Sequence, residues 1–180
     1  MRTDLIPEAR YGRLAAWLHW ISAGVVLLLL ASGLAISGMS MSLLKLKLLN
    51  WHKWAGVLAL DLVLLRLLWR AGHRPPQALP QAPRLQQAAV LAHAALYLLL
   101  LATPLLGWAY SSAAGFSITW LGVLPLPDWV PRDRELAQTL RPLHRLCAYA
   151  LLGLITLHVA AVLKHELLDR HPLLRRMRPW

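Results

Sequence analysis

Four long apolar stretches alternate with polar ones along the chain. Residues 14–36 (LAAWLHWISAGVVLLLLASGLAI), 51–69 (WHKWAGVLALDLVLLRLLW), 88–110 (AAVLAHAALYLLLLATPLLGWAY) and 142–165 each come close to the roughly 20 residues a helix needs to cross a bilayer. Pro104 falls inside the third stretch and predicts a kink there, which membrane helices tolerate when neighbours satisfy the freed carbonyl. The connections differ in kind. Residues 37–50 are short and carry Lys45 and Lys47, and residues 70–87 are rich in Pro and Gln and read as an irregular loop. Residues 111–141 place three prolines around Trp120 and Trp129, which suggests a segment lying at a membrane interface, and PRDRELAQTLRP begins a helical turn that runs into the fourth stretch.

Composition agrees with a membrane protein. Of the 180 residues 58% are hydrophobic, well above a soluble domain of this size. The net charge of +11 raises nucleic acid as a partner, but the basic residues flank the apolar stretches instead of forming one block, so no nucleic acid is expected. Cys147 is the single cysteine, which excludes an internal disulfide and a cysteine metal cluster. The first stretch lacks a convincing small-residue cleavage site and is read as a retained span. Twelve of the 19 lysines and arginines fall at the N-terminus, in the second connection and at the C-terminus. The positive-inside rule therefore puts both termini in the cytoplasm. The expected fold is all-α: an integral membrane four-helix bundle forming one domain over residues 1–180.

With alternating helix directions each histidine takes a depth. His52 and His144 share the outer level, and His19 and His158 share the inner one. On the fourth helix, 14 residues separate His144 from His158, about 21 Å of rise and nearly the same face. Two histidine pairs at two depths suit two stacked b-type haems, each iron taking two axial imidazoles. A single membrane histidine is often an interhelical hydrogen-bond donor, and intramembrane ionisable residues also mark proton relays. One zinc site is excluded by the 21 Å spread, since zinc wants four close ligands. Arg66 lies 14 residues after His52 and so reaches the inner level, where it would pair with a propionate or snorkel to the interface. His93 and His165 sit on the inner side, placed to meet a quinone or a propionate, and His73 and His171 read as solvated. Asp61 falls near mid-membrane and is expected either to pair with Arg66 or to be protonated, since burial disfavours the charged carboxylate. Lys53, Arg141 and Arg145 flank the outer ligands, either neutralising propionates or forming an electrostatic funnel for a small anion.

The stretches RLAAWLHW, WHKWAGVLALDLVLLRLLWR, LAHAALYLLLLATPLLGW, LRPLHRLCAYALLGLITLH and HPLLRRMRPW resemble the bacterial cytochrome b561 family over nearly the whole chain. The resemblance implies a four-helix inner-membrane protein with two haem b groups. It pairs His19 with His158 for the inner iron and His52 with His144 for the outer, as the depth argument does. One branch of the family takes electrons from periplasmic superoxide, releases dioxygen and reduces ubiquinone; the basic outer rim fits that activity. Other members pass electrons from a hydrogenase or another dehydrogenase to the quinone pool. The partners implied are membrane lipid, quinone, superoxide, and a second copy or a redox protein. Asp61 and Lys53 depart from the family pattern.

Overall fold

The computed structural model describes residues 10–73, 75–76, 82–170 and 172–180. Arg2, Arg74 and His171 lie outside the described residues. Four long helices dominate: α1 (Arg13–Gly38), α2 (Leu43–Gly72), α3 (Pro83–Ala113) and α4 (Arg134–Leu167). A two-stranded hairpin, β1 (Thr119–Trp120) with β2 (Leu124–Pro125), and a short α5 (Leu173–Arg176) complete the described elements. Consecutive helices pack side by side, α1 on α2, α2 on α3 and α3 on α4. One end of the molecule holds the hairpin. The other, the tail end, holds the start of α1 and residues 172–180.

The helices are longer than the apolar stretches that announce them. α2 begins at Leu43, not at residue 51, because the Ser42 side chain accepts from the Lys45 amide and caps a run of good helix formers. α4 begins at Arg134, where Asp133 accepts from the amides of Glu135 and Leu136, and it continues through Pro142. The helical turn expected before the fourth span is thus two full turns of α4. Pro104 lies within α3 and Pro83 opens it, at a position where no intrahelical amide bond is lost.

α1, α3 and α4 are long and apolar enough to cross a membrane. α2 is as long, but it carries Lys45, Lys47, Lys53, Asp61, Arg66 and Arg70. Large apolar side chains project outward all along the helices; Leu28 and Leu68 are each 71% exposed and Leu98 is 66% exposed. A soluble protein would not leave so many uncovered, and lipid covers them at no cost. Among the described residues most burial lies in a thin seam between helices, with Val63 of α2 and Ser112 of α3 fully enclosed.

The hairpin lies across the end of α2. Trp54 Nε1 donates to the Thr119 carbonyl at 2.7 Å, and Trp120 Nε1 donates to the Trp54 carbonyl at 3.2 Å. The chain reverses at Leu121 and Gly122, whose φ angles are 53° and 74°, the pair of positive values a tight hairpin turn requires. Ser111 Oγ bonds the Phe116 carbonyl, and Ser117 Oγ donates to Asp128 at 2.6 Å. Trp120 is half-buried under this hairpin and Trp129 is exposed.

Candidate haem sites

Toward the hairpin end, His52 of α2 and His144 of α4 face each other. Their ring centroids are 6.3 Å apart and the rings are nearly perpendicular, at 88°. The His144 Nδ1–H donates to the Thr103 carbonyl of α3 at 2.9 Å. His52 Nδ1 lies 2.9 Å from Ser32 Oγ of α1, a hydroxyl that also reaches the Leu29 carbonyl at 3.0 Å. With Ser32 accepting, the His52 proton sits on Nδ1, as the carbonyl requires for His144. That tautomer leaves Nε2 unprotonated, which is the form that ligates metal.

Two glycines make room for these rings. A Cβ built on Gly107 of α3 would stand 3.0 Å from His144 Cε1, and one on Gly33 of α1 would stand 3.3 Å from His52 Cε1. Any larger residue at Gly107 would drive His144 from its place. All four helices thus contribute to this level.

A second set of histidines lies toward the tail end. His158 of α4 and His93 of α3 have ring centroids 5.5 Å apart at 77°. His93 Nδ1–H donates to the Ala89 carbonyl at 2.7 Å, leaving its Nε2 free as well. His19 of α1 lies within electrostatic reach of Arg66, His158 and His93. Its Nδ1 is buried without a hydrogen-bond partner. The Arg66 guanidinium lies 5.4 Å from the Tyr97 ring centroid, one turn along α3 from His93. Three histidines meet at this level where the sequence suggested a pair, and His93 touches His158 directly. Asp61 is exposed and forms no ion pair with Arg66.

One spacing links the two levels. Residues 19 and 33, 52 and 66, 93 and 107, and 144 and 158 are each 14 positions apart. Each helix places one of these residues at either level, about 21 Å apart along its axis. Ser32 and Thr103 escape a reading of the sequence alone, yet each closes the same pattern, four leucines, an alanine and a hydroxyl residue, at residues 27–32 and 98–103.

The remaining expected residues are spread out. Lys53 Nζ reaches the Phe116 carbonyl at 3.4 Å and so meets the loop leading into the hairpin. Arg141 lines a cavity of about 600 Å³ with Arg132, Arg134, Tyr110 and Gln138, one helical turn beyond His144. Arg145 is exposed on α4. His165 Nδ1 lies 2.7 Å from Asp169, which also takes Lys164 Nζ at 2.7 Å. The Lys164 ammonium and His165 hold the Asp169 carboxyl below the usual carboxylate range. His73 stacks on Trp69, with centroids 3.6 Å apart.

The donor set fits a haem. Imidazole nitrogens bind metals at about 2 Å, so two rings on one iron have centroids about 6 Å apart once the ring radii are added. The His52–His144 separation matches that figure. No cluster of three or more His, Cys, Asp and Glu side chains suited to a bare metal ion occurs among the described residues. Two imidazole rings at this separation in an apolar helical frame are the donor set of b-type membrane cytochromes. The chain belongs to the prokaryotic cytochrome b561 family, whose profile matches residues 10–180. It is 34% identical over 173 residues to cytochrome b561 homolog 2 of Escherichia coli (strain K12), covering 95% of this chain and 92% of the relative. It is 31% identical over 175 residues to cytochrome b561 homolog 1 of the same organism, covering 94% and 97%. Against the probable superoxide oxidase CybB of Yersinia pestis it is 28% identical over 170 residues, covering 93% and 96%. Membership makes this a membrane protein that binds b-type haem and works in electron transfer.

Proposed function

We propose that the chain is a single four-helix domain of the bacterial inner membrane, with both termini in the cytoplasm and two b haems. His52 and His144 hold the periplasmic haem, and His19 and His158 hold the cytoplasmic one. Two superoxide ions each give up one electron at the periplasmic face and leave as dioxygen, and ubiquinone takes the two electrons with two protons to become ubiquinol. The haems, when bound, supply one-electron transfer across the span.

The protein's own residues do the rest. Ser32 and the Thr103 carbonyl hold the His52 and His144 protons on Nδ1, so that each ring offers Nε2. Gly33 and Gly107 leave space for the rings. Arg66, held over Tyr97, is placed to neutralise a propionate. His93, and His165 backed by Asp169, are placed to meet a quinone head group or a propionate. Lys53, Arg141 and Arg145 steer an anion to the periplasmic end. The observation that carries the reading is the 6.3 Å approach of the His52 and His144 rings.

The test is a reduced-minus-oxidised spectrum of the purified protein with its haem-to-protein ratio, followed by superoxide added to the oxidised form with ubiquinone. Two haems reduced rapidly, at a rate that falls as salt rises, are expected. Two haems that ignore superoxide would replace this donor with a hydrogenase or dehydrogenase partner. No haem would overturn the histidine assignments.

A further inference from the structure

α1 and α4 carry His19 and His158 to one level, yet these two helices share no extensive packed face. At the tail end they are joined by residues 172–180. Beyond α4 the chain turns at Arg170 (φ 56°), passes Pro172 and forms the single turn of α5. It is fastened to α4 where Glu166 Oε2 accepts from the Leu174 amide at 3.1 Å. It is fastened at two points to α1 and at one to Tyr11, two residues before that helix begins. The Tyr11 amide donates to the Arg176 carbonyl at 3.0 Å, Trp20 Nε1 donates to the Met177 carbonyl at 2.9 Å, and the Trp17 and Trp180 rings meet with centroids 6.4 Å apart. Pro179 is buried in the contact.

His19 also differs from the other histidines of the two levels that have a fixed ring. Hydrogen bonds fix His52, His93 and His144 through Nδ1, whereas His19 Nδ1 is buried with no partner. Its ring must be oriented by packing, and the aromatic neighbour against it is Trp20, 5.2 Å away at 64°. Trp20 is the same residue that the 172–180 segment holds.

We infer that residues 172–180 form a strap from α4 to α1, and that Trp20, held by the Met177 carbonyl, is the positioning residue for the His19 ring. This rests on the reading of His19 as a haem ligand. In bis-imidazole haem the ring orientation sets the low-spin signal and contributes to the potential, so a displaced His19 is visible without any assay of turnover.

Two variants test it: Trp20→Phe, which removes the indole N–H together with the five-membered ring but keeps an aromatic side chain, and a chain ending at residue 172. The haem component that disappears in His19→Ala identifies the cytoplasmic haem. In both test variants that component is expected to shift its electron paramagnetic resonance signal and midpoint potential, while the other keeps its wild-type values. In protein prepared without haem, the amides of residues 13–22 are expected to exchange hydrogen several-fold faster than in wild type, since the strap's bonds are lost. Both components unchanged in Trp20→Phe, or exchange unchanged in the shortened chain, would overturn the strap. If the shortened chain does not fold, the Trp20→Phe spectra decide alone. A wild-type protein devoid of haem would instead defeat the reading of His19, and the exchange experiment would still report on the strap.

Discussion

Gly107 shows how much one hydrogen atom in place of a side chain controls. The His144 ring occupies the space where any Cβ on that residue would stand, 3.0 Å from Cε1 and 3.1 Å from Nδ1. Gly107→Val adds three carbons there, and the ring must leave the Thr103 carbonyl. The haem-to-protein ratio is expected to fall from two toward one, measured by the pyridine haemochrome. Gly153→Ala, which meets nothing within 4 Å, should keep both haems. Histidines stand out in a leucine-rich chain, so His19, His52, His144 and His158 are legible as candidates from their spacing. Gly33, Gly107 and Ser32 are not, because small residues in membrane helices are common for packing reasons alone. His93 is legible as a residue of the tail-end level, but its contact with His158 depends on the rotation of α3 about its axis, which the weak polar contrast around that helix does not encode.

Helix ends are set by capping chemistry, and the two largest differences from the sequence reading arise there. Residues 43–50 carry Lys45 and Lys47 and look like a connection, yet leucine and lysine are both good helix formers, and Ser42 supplies the cap. The turn expected from PRDRELAQTLRP does run into the fourth span, and it is longer than one turn: α4 starts two turns before Pro142, where Asp133 satisfies its first free amides. The hairpin has no legible signal, since Leu121 is an unusual residue for a positive φ. The segment from Ala114 to Asp133 is pinned by Asp128, whose carboxyl is held below the usual range chiefly by the Ser117 hydroxyl. The unfolded chain lacks that bond. The stabilising contribution is therefore complete above the ordinary carboxylate range and disappears as pH falls through the depressed value. Ser117→Ala is expected to raise the midpoint of the Asp128 carboxyl-carbon resonance, followed by nuclear magnetic resonance during acid titration. An unchanged midpoint would remove Ser117 as the cause.

At the scale of the whole molecule, charge is distributed to favour an anion at the hairpin end. Lys53, Arg132, Arg134, Arg141 and Arg145 gather there and outnumber the nearby acids Asp128, Asp133 and Glu135, of which Asp133 caps α4 and Asp128 accepts from Ser117. Arg132, Arg134 and Arg141 line the cavity that opens one turn beyond His144, with Asp133 the one acid among its lining residues. A small anion needs no shaped pocket to be attracted by such an excess of positive charge, and charged clefts raise association rates by about 10- to 1000-fold. Arg134→Glu with Arg141→Glu inverts the field without touching His52 or His144. The second-order rate of haem reduction by superoxide is expected to fall about tenfold at low salt. Its salt dependence should flatten or reverse, because the attraction that salt screens has gone. The haem content and difference spectrum should stay at wild-type values. Lys53→Gln removes a cation further from the cavity, already drawn toward the Phe116 carbonyl, and should change the rate less. If the double reversal leaves the rate and its salt dependence unchanged, steering is not what this basic surface provides, and a docked acidic redox protein becomes the occupant it suits.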